Sequence, residues 1–142
     1  MEDASRSVRD YLRFSRLGRD YDPEGLRERG EGFLLSRDGI DTIFYHSGSA
    51  MRFLAYVEFA TGQTRGNHYH HSRVEHLCVA KGQLDATYRV AGGSGEWLTV
   101  SLTAGDVVRV LPGCVHTYVA REHSVALEFA PQPFDEADTV RP

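Results

Sequence analysis

From Gly32 onward the chain alternates short runs of apolar residues with glycine-marked breaks, a period-2 pattern that predicts strands rather than helices. The runs are Phe33–Ser36, Thr42–His46, Arg52–Ala60, Gly66–His71, Glu75–Lys81, Leu84–Ala91, Glu96–Leu102, Val107–Leu111, Val115–Ala120 and Ser124–Phe129. They are rich in Val, Phe, Tyr, Thr and Leu, the residues that suit a pleated, half-buried surface. Arg52–Ala60 carries large apolar residues at both parities, Phe53, Val57 and Phe59 against Leu54 and Tyr56. Such a strand is expected to be covered on both faces, by a second sheet or by another subunit. Gly92–Gly95 reads as a flexible hairpin tip, not a phosphate loop, because no lysine or helix follows.

The first 31 residues read differently. Val8, Tyr11 and Leu12 have helical spacing, which predicts a short amphipathic helix over 4–16. Asp22-Pro23-Glu24 looks like a second helix start, with Gly30 near its stop. The pattern therefore divides the chain into a helical or irregular extension, 1–31, and an all-β domain, 32–142. Many short strands with regular turns predict a barrel or jelly-roll sandwich, and the acidic tail Pro131–Pro142 a surface strap.

Composition narrows the function classes. At 142 residues, with 41% hydrophobic and 25% charged, the chain suits one globular domain with a sizeable core. A net charge of -4 offers no basic face for nucleic acid. No apolar stretch is long enough to span a bilayer, and no export signal follows the N-terminus. With only Cys78 and Cys114, a reducing cytoplasm is the expected setting, and the two thiols are expected to be free.

Candidate chemistry lies between Gly62 and Gly82, GQTRGNHYHHSRVEHLCVAKG. His68 and His70 are two apart, so on a strand both imidazoles leave one face, and Glu75 follows a short polar turn. Imidazoles plus a carboxylate suit one divalent first-row metal, Zn, Fe, Mn or Ni. His71 has the opposite parity, and His46, His76 and His123 stand alone as surface or packing residues.

The spacing of Gly62, His68, His70, Glu75 and Gly82 resembles the first signature of the cupin superfamily, and Gly105, Gly113 and His116 fall on the second. Leu111 stands where that signature has proline and Ala120 where it has asparagine, with Pro112 alongside to stiffen the turn. The resemblance implies a cupin-type jelly-roll β-barrel whose metal is held by His68, His70, Glu75 and His116. Thr64–His71, Val74–Val79, Lys81-Gly82 and Phe134–Thr139 are similar to the C-terminal cupin domain of bifunctional capsular-polysaccharide enzymes that make nucleotide-linked N-acetylfucosamine. That family implies a metal-dependent epimerase acting beside a sugar ketone; the reductase domain those enzymes carry has no counterpart in this sequence. The run Arg65-Gly66-Asn67-His68-Tyr69 also resembles the rhamnose-pathway 3,5-epimerases, where the histidine is a metal-free base and glutamine stands where His70 stands here. By position Arg65 is then expected to contact an anionic group such as a diphosphate.

The implied function is isomerisation or epimerisation of a keto-sugar, possibly nucleotide-linked, or a related carbonyl compound, in polysaccharide or natural-product synthesis. Tyr118, Tyr69, Tyr88 and His71 are the candidate proton carriers, with Tyr118 first because it shares strand parity with His116. Two alternatives stand beside it: an Fe(II)-dependent cupin oxygenase and a non-catalytic small-ligand binder. The expected partners are a small-molecule substrate and a second copy of the chain in a homodimer, with neither nucleic acid nor membrane.

Overall fold

The computed structural model describes residues 6–17, 22–93 and 95–142. These residues form twelve strands: β1 Leu12–Arg16, β2 Gly32–Arg37, β3 Ile40–Tyr45, β4 Phe53–Phe59, β5 Thr64–His70, β6 Glu75–Lys81, β7 Gln83–Val90, β8 Trp97–Thr103, β9 Asp106–Val110, β10 Cys114–Ala120, β11 Ser124–Ala130 and β12 Thr139–Val140. A single turn of 3-10 helix covers Val8–Tyr11, and helix α1 covers Pro23–Glu28 with the Asp22 carboxylate capping Gly25 N–H. Every strand expected from Gly32 onward forms within a residue or two of its predicted ends.

Two five-stranded antiparallel sheets make the body, in the orders β1-β9-β6-β11-β4 and β12-β5-β10-β7-β8. Their inner faces share one core, to which the first sheet gives Phe59, Leu77, Val79 and Val108 and the second Leu84, Tyr88, Leu102 and Tyr118. β2 and β3 form a separate two-stranded hairpin. Its turn, Asp38-Gly39, has both residues left-handed, φ 56° and 73°, the conformation that a two-residue hairpin loop demands.

The expected closed barrel is corrected by this topology. Among the described residues no ladder joins the two sheets, so β1 and β4 end one and β12 and β8 end the other. Paired strands lie about 4.8 Å apart, whereas packed sheets stand about 10 Å apart with side chains between them. Large residues such as Phe59, Tyr88 and Tyr118 fill that layer, and the product is an open sandwich.

The helix expected over 4–16 is also not found in its described part. Leu12-Arg-Phe-Ser-Arg alternates, and as β1 it pairs residue for residue with β9, from Leu12↔Val110 to Arg16↔Asp106. Val8 and Tyr11, read from sequence as one helical stripe, both enter the core from the 3-10 turn. Residues 4 and 5 of that prediction, and Ser94 of the predicted hairpin tip, lie outside the described residues. Among the described residues, no helix is long and apolar enough to cross a membrane. Cys78 and Cys114 are both free thiols.

Candidate metal centre and its cavity

β5 and β10 carry the centre between them. His68 lies opposite His116 across the ladder, and Tyr88 flanks His116 from β7 on the other side. Strict alternation would then aim Arg65 away from His68. Instead Gly66 and Asn67 are both left-handed, φ 99° and 56°, and the register slips so that Thr117 pairs with Gly66 and Tyr118 with Arg65. This one-residue bulge puts Arg65 on the same face as His68, as a bulge does when it re-aims a side chain.

Glu75 opens β6 immediately after the turn that leaves β5. The C-terminal tail fixes that turn. The Asp138 carboxylate accepts from the Ser72 and Arg73 N–H groups at 2.8 and 3.0 Å, and Gln132 Oε1 accepts from Val74 N–H at 2.9 Å. Desolvation works to raise the Asp138 carboxyl, but the Arg73 and Ser72 donors together outweigh it and hold the group below its usual range. The tail thus straps the segment joining two ligand-bearing strands.

His68, His70, Glu75 and His116 each offer a ligand atom, all within 4.8 Å of one another. His116 Nε2 lies 2.9 Å from one Glu75 oxygen and His70 Nε2 3.6 Å from the other. Ligands on one ion at about 2.1 Å stand roughly 3.0–4.2 Å apart, so these separations fit a shared cation. The buried atoms His68 Nδ1, His70 Nε2, His116 Nε2 and Glu75 Oε2 have no aligned hydrogen-bond partner. Buried polar atoms without a partner are costly, and a metal ion would satisfy His70 Nε2, His116 Nε2 and Glu75 Oε2 together. The other ring nitrogens are occupied: His116 Nδ1 is 3.0 Å from the Cys114 carbonyl and His70 Nδ1 3.4 Å from Thr139 Oγ1. Such contacts orient imidazole ligands and present the opposite nitrogen to a metal.

Electrostatics point the same way. Burial opposes the charge on Glu75, but His116 and His70 outweigh it through charge and hydrogen bonding and hold the carboxyl well below its usual range. Burial likewise opposes charge on His116, yet Glu75 raises it above the ordinary histidine value. His68 is pushed down to about 4 by burial and by His116, so it is neutral and ready to ligate near pH 7.

The cluster forms the floor of a cavity of about 530 Å³. Arg65, Arg73 and Arg141 supply cations around it, Glu128 a carboxylate, and Phe53 and Phe134 apolar walls. Arg73 is buried, with its guanidinium 4.7 Å over the Phe53 ring and 3.8 Å from Glu75. Its Nε and Nη2 have no partner among the described residues, so two buried donor nitrogens remain for a ligand acceptor. Glu128 makes no hydrogen bond or ion pair among the described residues. Burial, followed by the nearby Glu75 charge, raises its carboxyl to about 7 against the opposing pull of Arg65, His116 and Arg73.

Of the residues singled out from sequence, His68, His70, Glu75, His116, Arg65 and Tyr118 meet at this cavity. Tyr88 lies behind Tyr118, fully buried, with ring centroids 6.1 Å apart and no opening to the cavity. Burial raises both phenols, Tyr118 well above the ordinary tyrosine value. Tyr69 and His71 pack edge to face on each other at 5.7 Å and do not line the cavity. Arg73, Glu128 and Arg141 were not anticipated. Glu128 had a legible signal, as the one charge inside the apolar run Ser124–Ala130; Arg73, in a polar turn, had none.

An open β-sandwich with a buried three-histidine, one-glutamate cluster is a cupin-like fold, the kind found among sugar-nucleotide epimerases and isomerases. The chain belongs to the family described as Polysaccharide biosynthesis C-terminal domain, which its residues 44–139 match. It is 32% identical over 77 residues to the UDP-2-acetamido-2,6-beta-L-arabino-hexul-4-ose reductase of Pseudomonas aeruginosa, an alignment covering 52% of this chain and 21% of that protein. The chain thus spans about a fifth of that curated relative's length. Among solved structures, the sugar 3,4-ketoisomerase QdtA of Thermoanaerobacterium thermosaccharolyticum superposes with a TM-score of 0.69 at 13% identity, covering 93% of this chain and 88% of that one. The capsular polysaccharide assembling protein CapF of Staphylococcus aureus gives 0.58 at 20% identity over 78% of this chain and 34% of its own. At these identities the structural likeness establishes the fold.

Proposed function

We propose that this chain is a metal-dependent isomerase or epimerase acting on a keto-sugar, with the sugar carried on a nucleotide diphosphate. The observation that carries the reading is the coexistence, in one cavity, of a buried metal-ligand cluster and an unpartnered, half-buried carboxylate, Glu128. A divalent transition metal held by His68, His70, Glu75 and His116 supplies Lewis acidity toward a carbonyl oxygen. Glu128 is the proton acceptor: a carboxylate near 7 is matched to removal of a proton beside a ketone. Tyr118, with its phenol kept protonated by burial, donates from the β10 side. Arg73 offers its two free donors to a sugar oxygen, while Arg65 and Arg141 at the rim take the diphosphate. Tyr69, Tyr88 and His71 have no part in this scheme. We place the protein in the cytoplasm, a setting that its two free thiols support.

Elemental analysis of the purified chain, followed by incubation with TDP-4-keto-6-deoxyglucose in deuterium oxide, tests the proposal. QdtA has been crystallised with that sugar nucleotide, which makes it a reasonable first probe. The expected result is one divalent metal per chain, deuterium entering a carbon next to the ketone, and no oxygen uptake. Bound iron with oxygen consumed in proportion to substrate would establish the oxygenase reading instead. Tight binding without exchange or oxygen uptake would leave a ligand-binding protein.

A further inference from the structure

The turn between His70 and Glu75, two ligands of the candidate centre, is built on the C-terminal tail rather than on itself. Its four consecutive residues, His71, Ser72, Arg73 and Val74, each donate a backbone N–H to the tail. The Asp138 carbonyl takes the first at 3.2 Å, the two Asp138 carboxylate oxygens the second and third, and Gln132 Oε1 the fourth. Backbone donors need acceptors, and here the tail supplies all of them for the segment joining the two ligands. It therefore sets the path by which the chain brings Glu75 back toward His70.

Two further contacts reach β5 itself. β12 pairs with it at Thr139↔His70 and Val140↔Tyr69, which sets Thr139 Oγ1 beside His70 Nδ1. A neutral imidazole has one N–H and one lone pair, so a hydroxyl accepting at Nδ1 leaves Nε2 as the ligating nitrogen. Arg141 donates to the Gly66 carbonyl at 3.3 Å, at the bulge that aims Arg65. Yet the tail is lightly held. β12 is two residues long, and no residue from 131 to 142 is buried. Phe134, stacked on Phe53 at 6.0 Å, is still 62% exposed. Segments held by hydrogen bonds at the surface, with little apolar burial, open locally at low cost.

We propose that residues 131–142 are a latch coupled to the metal centre, with Asp138, Gln132 and Thr139 as positioning residues for its ligands. The latch docks best when the turn holds His70 and Glu75 at the spacing an ion requires. An ion binds best when the latch has set that spacing. A strap serving only the fold behaves differently, since it stabilises the protein equally with and without metal. Coupling is reciprocal by thermodynamic necessity: the factor by which docking tightens the ion is the factor by which the ion tightens docking. This coupling presupposes the metal reading of the cluster, not the reaction proposed for it.

Two measurements on the full chain test it: zinc titration against a competing chelator, and hydrogen exchange of the backbone amides of residues 71–74 with and without zinc. Asp138→Ala is expected to weaken zinc binding by about 10- to 100-fold, the usual range for groups that orient metal ligands. Thr139→Val, which replaces the hydroxyl by a methyl group, is expected to lose roughly tenfold, and Thr139→Ser to keep wild-type affinity. In the wild type, zinc slows exchange of the four amides by about tenfold or more. Glu136→Gln, exposed in the same tail, changes neither measurement. Circular dichroism of the metal-free proteins checks that each variant is folded, and should Asp138→Ala fail to fold, exchange in the wild type decides alone. Undiminished zinc affinity in folded Asp138→Ala, or exchange of the four amides indifferent to zinc, would overturn the latch and leave the metal site standing. A wild type that binds no zinc would overturn both.

Discussion

Gly66→Ala should damage the candidate centre without touching a ligand. Gly66 sits at the bulge two residues before His68 with φ +99°, a region costing an L-residue roughly 1–2 kcal/mol. A Cβ there would fall 2.5 Å from the His116 carbonyl oxygen and 3.3 Å from both the His116 carbonyl carbon and Thr117 Cα. All three are backbone atoms of β10, so no side chain can swing aside. Ordinary contact begins at 3.4 Å, and β5 must therefore retreat by about 0.9 Å, 3.4 less 2.5. Forced overpacking of this kind costs about 1–3 kcal/mol, for a combined loss of roughly 2–5 kcal/mol with the strain included. The retreat also separates His68 and His70 from His116, and a site loosened by about 1 Å should lose at least tenfold in metal affinity. Gly62→Ala is the internal control: φ is +84°, but nothing lies within 4 Å of its Cβ, so only the strain applies. Urea unfolding of the metal-free proteins and zinc titration against a competing chelator measure both quantities. Equal destabilisation of the two variants with unchanged zinc affinity would refute the reasoning.

Three further outcomes follow from the site. Chelation should destabilise the loaded protein, and zinc at 100 times its Kd should restore about 2.7 kcal/mol; identical unfolding with and without metal would mean that the cluster does not bind. In the metal-free protein, folded His68 titrates at about 4 and the unfolded residue at 6.5, so its contribution is complete above pH 6.5 and lost as pH falls toward 4. His68→Gln should flatten stability over that window, and an unaltered slope would remove His68 as its source. Glu128→Gln should retain metal but lower solvent exchange into substrate at least 100-fold, with Glu128→Asp partly active; a near-normal rate in the glutamine variant would exclude Glu128 from proton transfer.

The strands were legible because each alternates over enough residues to declare its period, and the ligand cluster because His68, His70 and Glu75 are close in sequence. His116 became legible only through resemblance, since its partner across the ladder is 48 positions away, 116 less 68. What sequence could not supply was non-local. Leu12 and Phe14 alternate over too few residues to outweigh the helical spacing of Val8, Tyr11 and Leu12, and pairing with β9 decides the matter. Closure of the sheets depends on which ends meet in space, and no local pattern encodes it. The Gly66-Asn67 bulge inverts the parity by which Arg65 would be placed outside. Tyr69 and His71 show the converse, because simple alternation beyond the bulge puts them on the opposite face from His68 and His70, where they are found.

In the proposed function the two carboxylates of the cavity have different tasks, one as a metal ligand and one as a proton acceptor, and their surroundings support that division. Glu75 on β6 and Glu128 on β11 belong to adjacent strands, with Glu128 level with Leu77, two residues from Glu75 on the same face. Placed so near each other in a water-poor interior, they cannot share the same ionisation behaviour. Glu75 has His70, His116 and Arg73 against its oxygens, which keep it charged despite burial. Glu128 has no such contact, and burial together with the Glu75 charge moves it the other way. Environments that drive two like groups apart are how a site separates a permanently charged ligand from a proton acceptor. The assignment reverses if Glu75→Gln keeps its metal while Glu128→Gln loses it.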